Sequence, residues 1–129
     1  MGNRFLIDTD VIVDYLREQA EAVRYLENLT EPLLLSAITV AELYAGVREG
    51  KERVALETFL TAFEVVPLES AIALKGGLYR RDYRKSHNVG LADALIAATA
   101  ECKQATLVTL NRKHFPMLAT VIVPYQKAR

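Results

Sequence analysis

The chain has 129 residues, 51% hydrophobic and 25% charged, and its acidic and basic side chains cancel to a formal net charge of zero. That length suits one domain, 1–129, with one sizeable core, and the composition excludes a disordered chain. A balanced charge excludes holding nucleic acid by bulk electrostatics, so any RNA or DNA contact must rest on a local basic patch or on metal.

Met1 to Phe5 carries no signal-peptide pattern, and the longest apolar stretch, Leu91 to Ala100, is interrupted by Asp93 and too short to span a bilayer. The chain therefore reads as soluble and cytoplasmic, with no membrane partner. Cys102 is the only cysteine, which excludes an internal disulfide and a thiolate zinc site, and it reads as a small apolar helix residue.

Short β-branched or leucine-rich runs alternate with longer runs of helical period. This is the pattern of an α/β fold with a parallel sheet covered on both faces. Arg4 to Asp8 is the first strand, followed by Val11, Ile12, Tyr15 and Leu16 at helical spacing and a second helix over Ala20 to Leu29. Pro32 ends that unit by forcing its predecessor out of the helical region. Leu33 to Ser36 is the second strand, Thr39 to Val47 a helix stopped near Gly46 to Gly50, and Lys51 to Thr61 another helix leading into a strand at Phe63 to Val66. A long helix from Glu69 to Lys85 and a loop from Ser86 to Gly90 precede a helix over Leu91 to Cys102. Ala105 to Thr109 is the fourth strand and Val121 to Val123 a short last one, closed by Pro124.

This order puts Asp8 at the carboxyl end of strand one, Glu42 in the first turn after strand two, and Asp93 in the first turn of the helix before strand four. Ligands of open α/β sheets bind outside the carboxyl ends of the strands, so all three acids can reach one mouth. Converging there, they make a pocket of negative charge suited to a divalent cation. Each acid also has a structural explanation. Thr39 to Glu42 fits a capping box, Asp93 suits the helix macrodipole, and Asp8 or Asp10 can cap the helix that follows. Capping alone does not require an aspartate at the end of Phe5-Leu6-Ile7, nor one between Ala92 and Ala94.

Four segments carry a family resemblance. They are Leu6 to Ile12 (LIDTDVI), Ile38 to Gly46 (ITVAELYAG), Leu91 to Ala98 (LADALIAA) and Leu107 to Phe115 (LVTLNRKHF). In this order they resemble the signature blocks of PIN-domain nucleases, and within them the VapC-type toxins of toxin and antitoxin pairs. The resemblance implies a three-layer α/β/α sandwich and a Mg2+ or Mn2+ site holding Asp8, Glu42 and Asp93. It also implies endonucleolytic cleavage of RNA leaving a 5′-phosphate, a homodimer, and silencing by a cognate VapB-type antitoxin. The fourth acidic position departs: Asn111 stands where relatives often have aspartate, and His114 occupies the alternative. Asn111 carries no charge, so one tight ion is expected, and Asn111→Asp is expected to tighten metal binding.

Thr9, Asp10, Ser36, Thr109 and His114 lie near the same mouth as candidates to orient water or phosphate, although strand-end hydroxyls also cap helices. The two histidines, His87 and His114, read as solvated loop residues, and singly they make no zinc site. Arg80, Arg81, Arg84 and Lys85, joined by Arg112 and Lys113, are the candidate RNA-binding cations, with a merely solvated helix face as the competing explanation. The apolar residues Leu43, Tyr44, Val47, Val54, Leu56, Phe59 and Leu60 either pack the core or receive an antitoxin helix or second protomer. Two other functions stay in view. The uncharged Asn111 leaves room for a PIN-like module that binds its partner with little catalysis. Asp8-Thr9-Asp10 after a hydrophobic strand also suggests a haloacid-dehalogenase-type phosphatase, which expects a lysine and a late acidic pair, whereas Thr109 to Arg129 contains no Asp or Glu.

Overall fold

The computed structural model describes residues 3–126. Met1 and Gly2, part of the segment read as carrying no leader, lie outside the described residues, as do residues 127–129. Five strands, β1 (Phe5–Ile7), β2 (Leu33–Ser36), β3 (Glu64–Val66), β4 (Thr106–Val108) and β5 (Val121–Ile122), form one all-parallel sheet in the order β3-β2-β1-β4-β5. Among the described residues six α-helices flank it: α1 (Thr9–Leu16), α2 (Ala20–Glu27), α3 (Ala37–Ala45), α4 (Lys51–Leu60), α5 (Ser70–His87) and α6 (Leu91–Cys102).

The alternation of side chains along β1 separates two cores. Leu6 packs with Leu34, Leu107, Ile72, Ile96 and Phe115 on the face covered by α5 and α6. Its neighbours Phe5 and Ile7 pack with Leu35 of β2, Val108 of β4, and Val11, Ile12, Leu26, Leu43 and Leu56 from α1 to α4. With both faces of the central strands buried, most of their residues are apolar and read as leucine and valine runs rather than as alternating ones, whereas the edge strand β3 exposes Glu64 and Val65 and polar Ser36 and Thr106 stand at strand ends. The result is the expected three-layer α/β/α sandwich.

The strand order fixes where a site can form. From β1 the chain moves through β2 to β3 on one side, then crosses to β4 and β5 on the other. Between β1 and β4 the connections diverge, which opens a crevice beyond the strands' carboxyl ends. Asp8 is the first residue beyond β1 and Thr109 the first beyond β4.

Several local expectations change. Helix α5 continues to His87, two residues past Lys85, and ends where Asn88 adopts the left-handed conformation (φ 52°), which asparagine tolerates better than most residues. A 3-10 turn over Arg112–His114 follows β4 without having been expected. Cys102 is the exposed last residue of α6 rather than a packed one. Of the apolar residues offered either to the core or to a partner, Leu43 and Leu56 are buried, and Tyr44, Val47, Phe59 and Leu60 pack partly buried in the same cluster, whereas Val54 is 61% exposed. Among the described residues no helix is long and apolar enough to cross a membrane.

Two adjacent glycines of α5 test the packing. A Cβ on Gly76 would lie 2.5 Å from Leu95 Cδ2 and 3.1 Å from Leu95 Cα, whereas one on Gly77 meets nothing within 4 Å. Alanine gains about 1 kcal/mol of helix propensity at either position, but overpacking at the α5/α6 seam costs roughly 1–3 kcal/mol. Urea unfolding is expected to show Gly77→Ala stabilised and Gly76→Ala destabilised.

Candidate functional site

Asp8 anchors the site. The backbone at Asp8 is extended, and its Oδ1 accepts from the Thr9 N–H at 2.8 Å, so it caps α1. Its Oδ2 accepts from the Thr109 hydroxyl at 2.7 Å, in a buried contact spanning 101 residues of sequence. Capping and site placement are thus the same geometry, and only 6% of Asp8 remains exposed.

Glu42 arrives differently from the expectation. Helix α3 starts at Ala37 with Ser36 as its cap, the Ser36 Oγ accepting from Ile38 N–H at 3.0 Å. Glu42 therefore sits in the second turn, and the Thr39–Glu42 capping box does not form because Thr39 is already inside the helix. Instead the Thr9 hydroxyl donates to Glu42 Oε1 at 2.7 Å and lies 3.0 Å from Thr39 Oγ1. A carboxylate can only accept, so the single Thr9 proton serves Glu42 and the Thr39 hydroxyl supplies the other contact. Asp93 lies in the first turn of α6, as expected, with Oδ2 3.2 Å from His114 Nδ1. His114 is therefore a partner of an acid as well as a solvated residue, its side chain 55% exposed.

Asn111 is committed elsewhere. Its side-chain amide donates to Asp10 Oδ2 at 2.9 Å, and that oxygen also accepts from the Leu110 N–H at 3.1 Å. An aspartate at 111 would face Asp10 carboxylate to carboxylate, which removes the basis for the expected tightening by Asn111→Asp.

The electrostatics link the acids. Burial pushes the Asp8 carboxyl up to about 7, with the Asp10 and then the Asp93 charge adding to it, against the Thr109 and Thr9 hydrogen bonds. Burial also raises Asp93, with His114 opposing and Glu42 adding, and burial raises Asp10 against its bonds to Leu110 and Asn111. Among the described residues no group of three or more Asp, Glu, His or Cys side chains is gathered closely enough to cage a metal ion. The acids adjoin in pairs. The donor set is nonetheless of one kind, carboxylate oxygens backed by hydroxyls, and buried carboxylates that resist ionising are relieved by a hard divalent cation. In donor chemistry the residues fit Mg2+ or Mn2+.

The basic candidates divide. Arg80 Nη1 donates to the Val89 carbonyl at 2.9 Å, holding the loop before α6, and Arg81 pairs with Asp82 at 2.9 Å. Arg80 is thereby half-buried and spends one donor on the fold, whereas Arg81 stays exposed beside Asp82 in a surface pair of the kind that contributes little. Arg84 and Lys85 in the last turn of α5, and Arg112 and Lys113 in the 3-10 turn, stay exposed at the end of the molecule that carries Asp93. Sequence reasoning missed the buried Asp14, whose Oδ2 accepts from Tyr125 O–H at 2.8 Å. Its spacing of four from Asp10 on one helix face was the available signal.

A cleft of about 500 Å3 adjoins the acids between α1, α3 and α4, with Val13, Leu16, Leu43, Val47 and Leu56 as apolar walls and Glu42 among its lining residues.

Comparison with known proteins places the chain. A sequence model of the PIN domain matches residues 5–119. Ribonuclease VapC10 of Mycobacterium tuberculosis is 40% identical over 123 residues, covering 93% of this chain and 92% of the relative. Ribonuclease VapC19 of the same organism is 44% identical over 124 residues, covering 93% and 98%. A toxin-antitoxin complex from Klebsiella pneumoniae superposes with a TM-score of 0.83 at 27% identity, covering 95% of this chain and 98% of the other.

The state of Asp8 makes metal-free stability depend on pH. Its folded value, about 7, lies above the ordinary 3.8, so the fold favours its protonated form. That contribution is complete below the ordinary value and is lost as pH rises through about 7. In EDTA, scanning calorimetry is expected to show a melting temperature that falls between about pH 4 and about pH 7, and a flatter profile for Asp8→Asn. At the alkaline end the variant is expected to be more stable than the parent by roughly 1–4 kcal/mol.

Proposed function

This chain belongs to the PIN domain family, and we propose that it is a metal-dependent endoribonuclease, the toxin of a type II toxin and antitoxin pair. The observation that carries this reading is the pairwise electrostatic coupling of Asp8 with Asp93 and of Asp93 with Glu42, from three distant segments, near the switch point of the sheet. Similarity to two proteins named as ribonucleases supports it.

Asp8, Asp93 and Glu42 are the proposed holders of Mg2+ or Mn2+. A divalent ion bound there supplies Lewis acidity, acidifying water and neutralising charge on the scissile phosphate. The side chains contribute orientation. Thr109 and the Thr9 amide fix both oxygens of Asp8, the Thr9 hydroxyl aims Glu42, and His114 steadies Asp93. Neutral Asn111 adds no charge, in keeping with one tight ion. Arg84, Lys85, Arg112 and Lys113 remain available to RNA phosphates. Hydrolysis adds water across the P–O3′ bond, leaving a 5′-phosphate and returning a proton to the 3′-oxygen.

The proposed partner is a VapB-type antitoxin, whose amphipathic segment would fill the apolar cleft beside Glu42. A homodimer and a cytoplasmic setting complete the proposal, and the exposed Leu74 and Leu78, one turn apart on α5, favour a second copy. The pairwise rather than caged acids favour, as a second reading, a PIN-like module that binds its partner with little catalysis. A phosphatase with Asp8 as nucleophile is disfavoured, because the late acidic pair it expects has no counterpart from Thr109 to Arg129.

Incubation with defined single-stranded RNAs, with and without Mn2+, tests the proposal. Cleavage is expected only with metal, and Asp8→Asn is expected to reduce it by about a hundredfold or more, since even outer partners of metal ligands are worth 10–100-fold. Uncut RNA under all conditions would leave the binding module. In a separate melting experiment, Mn2+ is expected to stabilise the parent by about 2.7 kcal/mol at a hundred times its Kd, and Asp8→Asn much less.

A further inference from the structure

The turn after β4 is tied to α1 by a single carboxylate oxygen. Asp10, in the first turn of α1, accepts from the Leu110 N–H at 3.1 Å and from the Asn111 amide at 2.9 Å through the same Oδ2. Beside it, Thr109 donates to Asp8 at 2.7 Å while its oxygen accepts from the Asn111 N–H at 3.1 Å. The chain then enters the 3-10 turn, whose His114 N–H donates to the Asn111 carbonyl at 3.0 Å. That turn sets the His114 ring 3.2 Å from Asp93. Asp10 therefore stands at one end of a bonded relay, through Asn111 and the turn, that ends on Asp93.

Hydrogen bonds to an ionised oxygen are roughly twice as strong as neutral ones, and here one oxygen takes two of them. Its companion, Oδ1, is buried with no hydrogen-bond partner among the described residues. Leaving such an oxygen unmatched costs free energy, which the grip on residues 110 and 111 must offset.

We propose that Asp10 is a positioning residue of the site: gripping Leu110 and Asn111, it fixes the turn that carries His114 onto Asp93. Asn111 then serves the site through Asp10 and not as a ligand. The catalytic part of this inference rests on the nuclease reading, whereas the grip itself does not.

The gripping oxygen itself provides the test. Asp10→Asn keeps a side-chain oxygen that can accept from the Leu110 N–H and the Asn111 amide together, whereas Asp10→Ala removes it. With RNA and Mn2+, Asp10→Ala is expected to lower kcat about tenfold with KM changed less than about twofold. Asp10→Asn is expected to stay within about threefold of the parent. Amide exchange in EDTA is expected to follow the same order, with Leu110 protection lost in Asp10→Ala and kept in Asp10→Asn. Calorimetric Mn2+ affinity is expected to change far less in Asp10→Asn than in Asp8→Asn. An Asp10→Ala variant with the parent's kcat overturns the inference, as does Mn2+ binding weakened equally by Asp10→Asn and Asp8→Asn, which would make Asp10 a ligand. If the parent leaves RNA uncut, the nuclease reading fails, and the exchange order alone then decides the grip: loss of protection in Asp10→Ala supports it and unchanged protection overturns it.

Discussion

The structure depends on holding a carboxylate in the apolar end of a parallel sheet. Asp8 follows three buried strand residues, and at that depth an ionised group is costly unless donors or a cation face it. The fold supplies two donors, the Thr9 amide and the Thr109 hydroxyl. Those bonds lower the carboxyl only part of the way, and burial still leaves it near neutrality. The strand order β3-β2-β1-β4-β5 makes this possible, since Thr109 reaches Asp8 only because β4 is hydrogen-bonded directly to β1.

From that constraint the neighbouring groups follow in pairs. Thr9 caps nothing with its hydroxyl and turns it to Glu42; Asn111 turns to Asp10; His114 turns to Asp93. Each pair spreads negative charge over a donor and keeps the carboxylates apart. A site of this kind is poised rather than closed, with acids adjacent and oriented but not gathered. Drawing them onto one ion would exchange these pairings for metal bonds, so the same contacts that stabilise the metal-free protein oppose the change.

The two faces of the sheet carry different burdens. On the α5/α6 side, Gly76 brings the two helices close enough that Leu95 meets bare backbone, and Arg80 pins the loop that starts α6. Both features make the Asp93 end of α6 rigid. On the other side α4 is held by Leu56 and by Phe59, whose ring lies 5.2 Å from Tyr15 and 5.0 Å from Phe63. That contact leaves an apolar cleft open beside Glu42, so a ligand seated in the cleft would touch the acidic site through one residue.

The amino-acid sequence alone determined the fold class, the strand and helix order, and which acids lie at strand ends. Those features are written in local periodicity, in runs too apolar to face water, and in the four segments resembling PIN-domain nucleases. It also determined that Asn111 and His114 depart from the acidic pattern. Only the tertiary structure decided what these residues touch. Ser36 rather than Thr39 caps α3 because the strand runs directly into the helix, and this leaves Glu42 for Thr9. Arg80 looks like a surface cation until Val89 comes back to meet it. Asp10 and Asn111 are a hundred residues apart, and no spacing rule pairs them. Hydrogen bonds of about 3 Å are settled by strand register and helix placement, which emerge from packing the whole chain and leave no periodic trace in any segment of it.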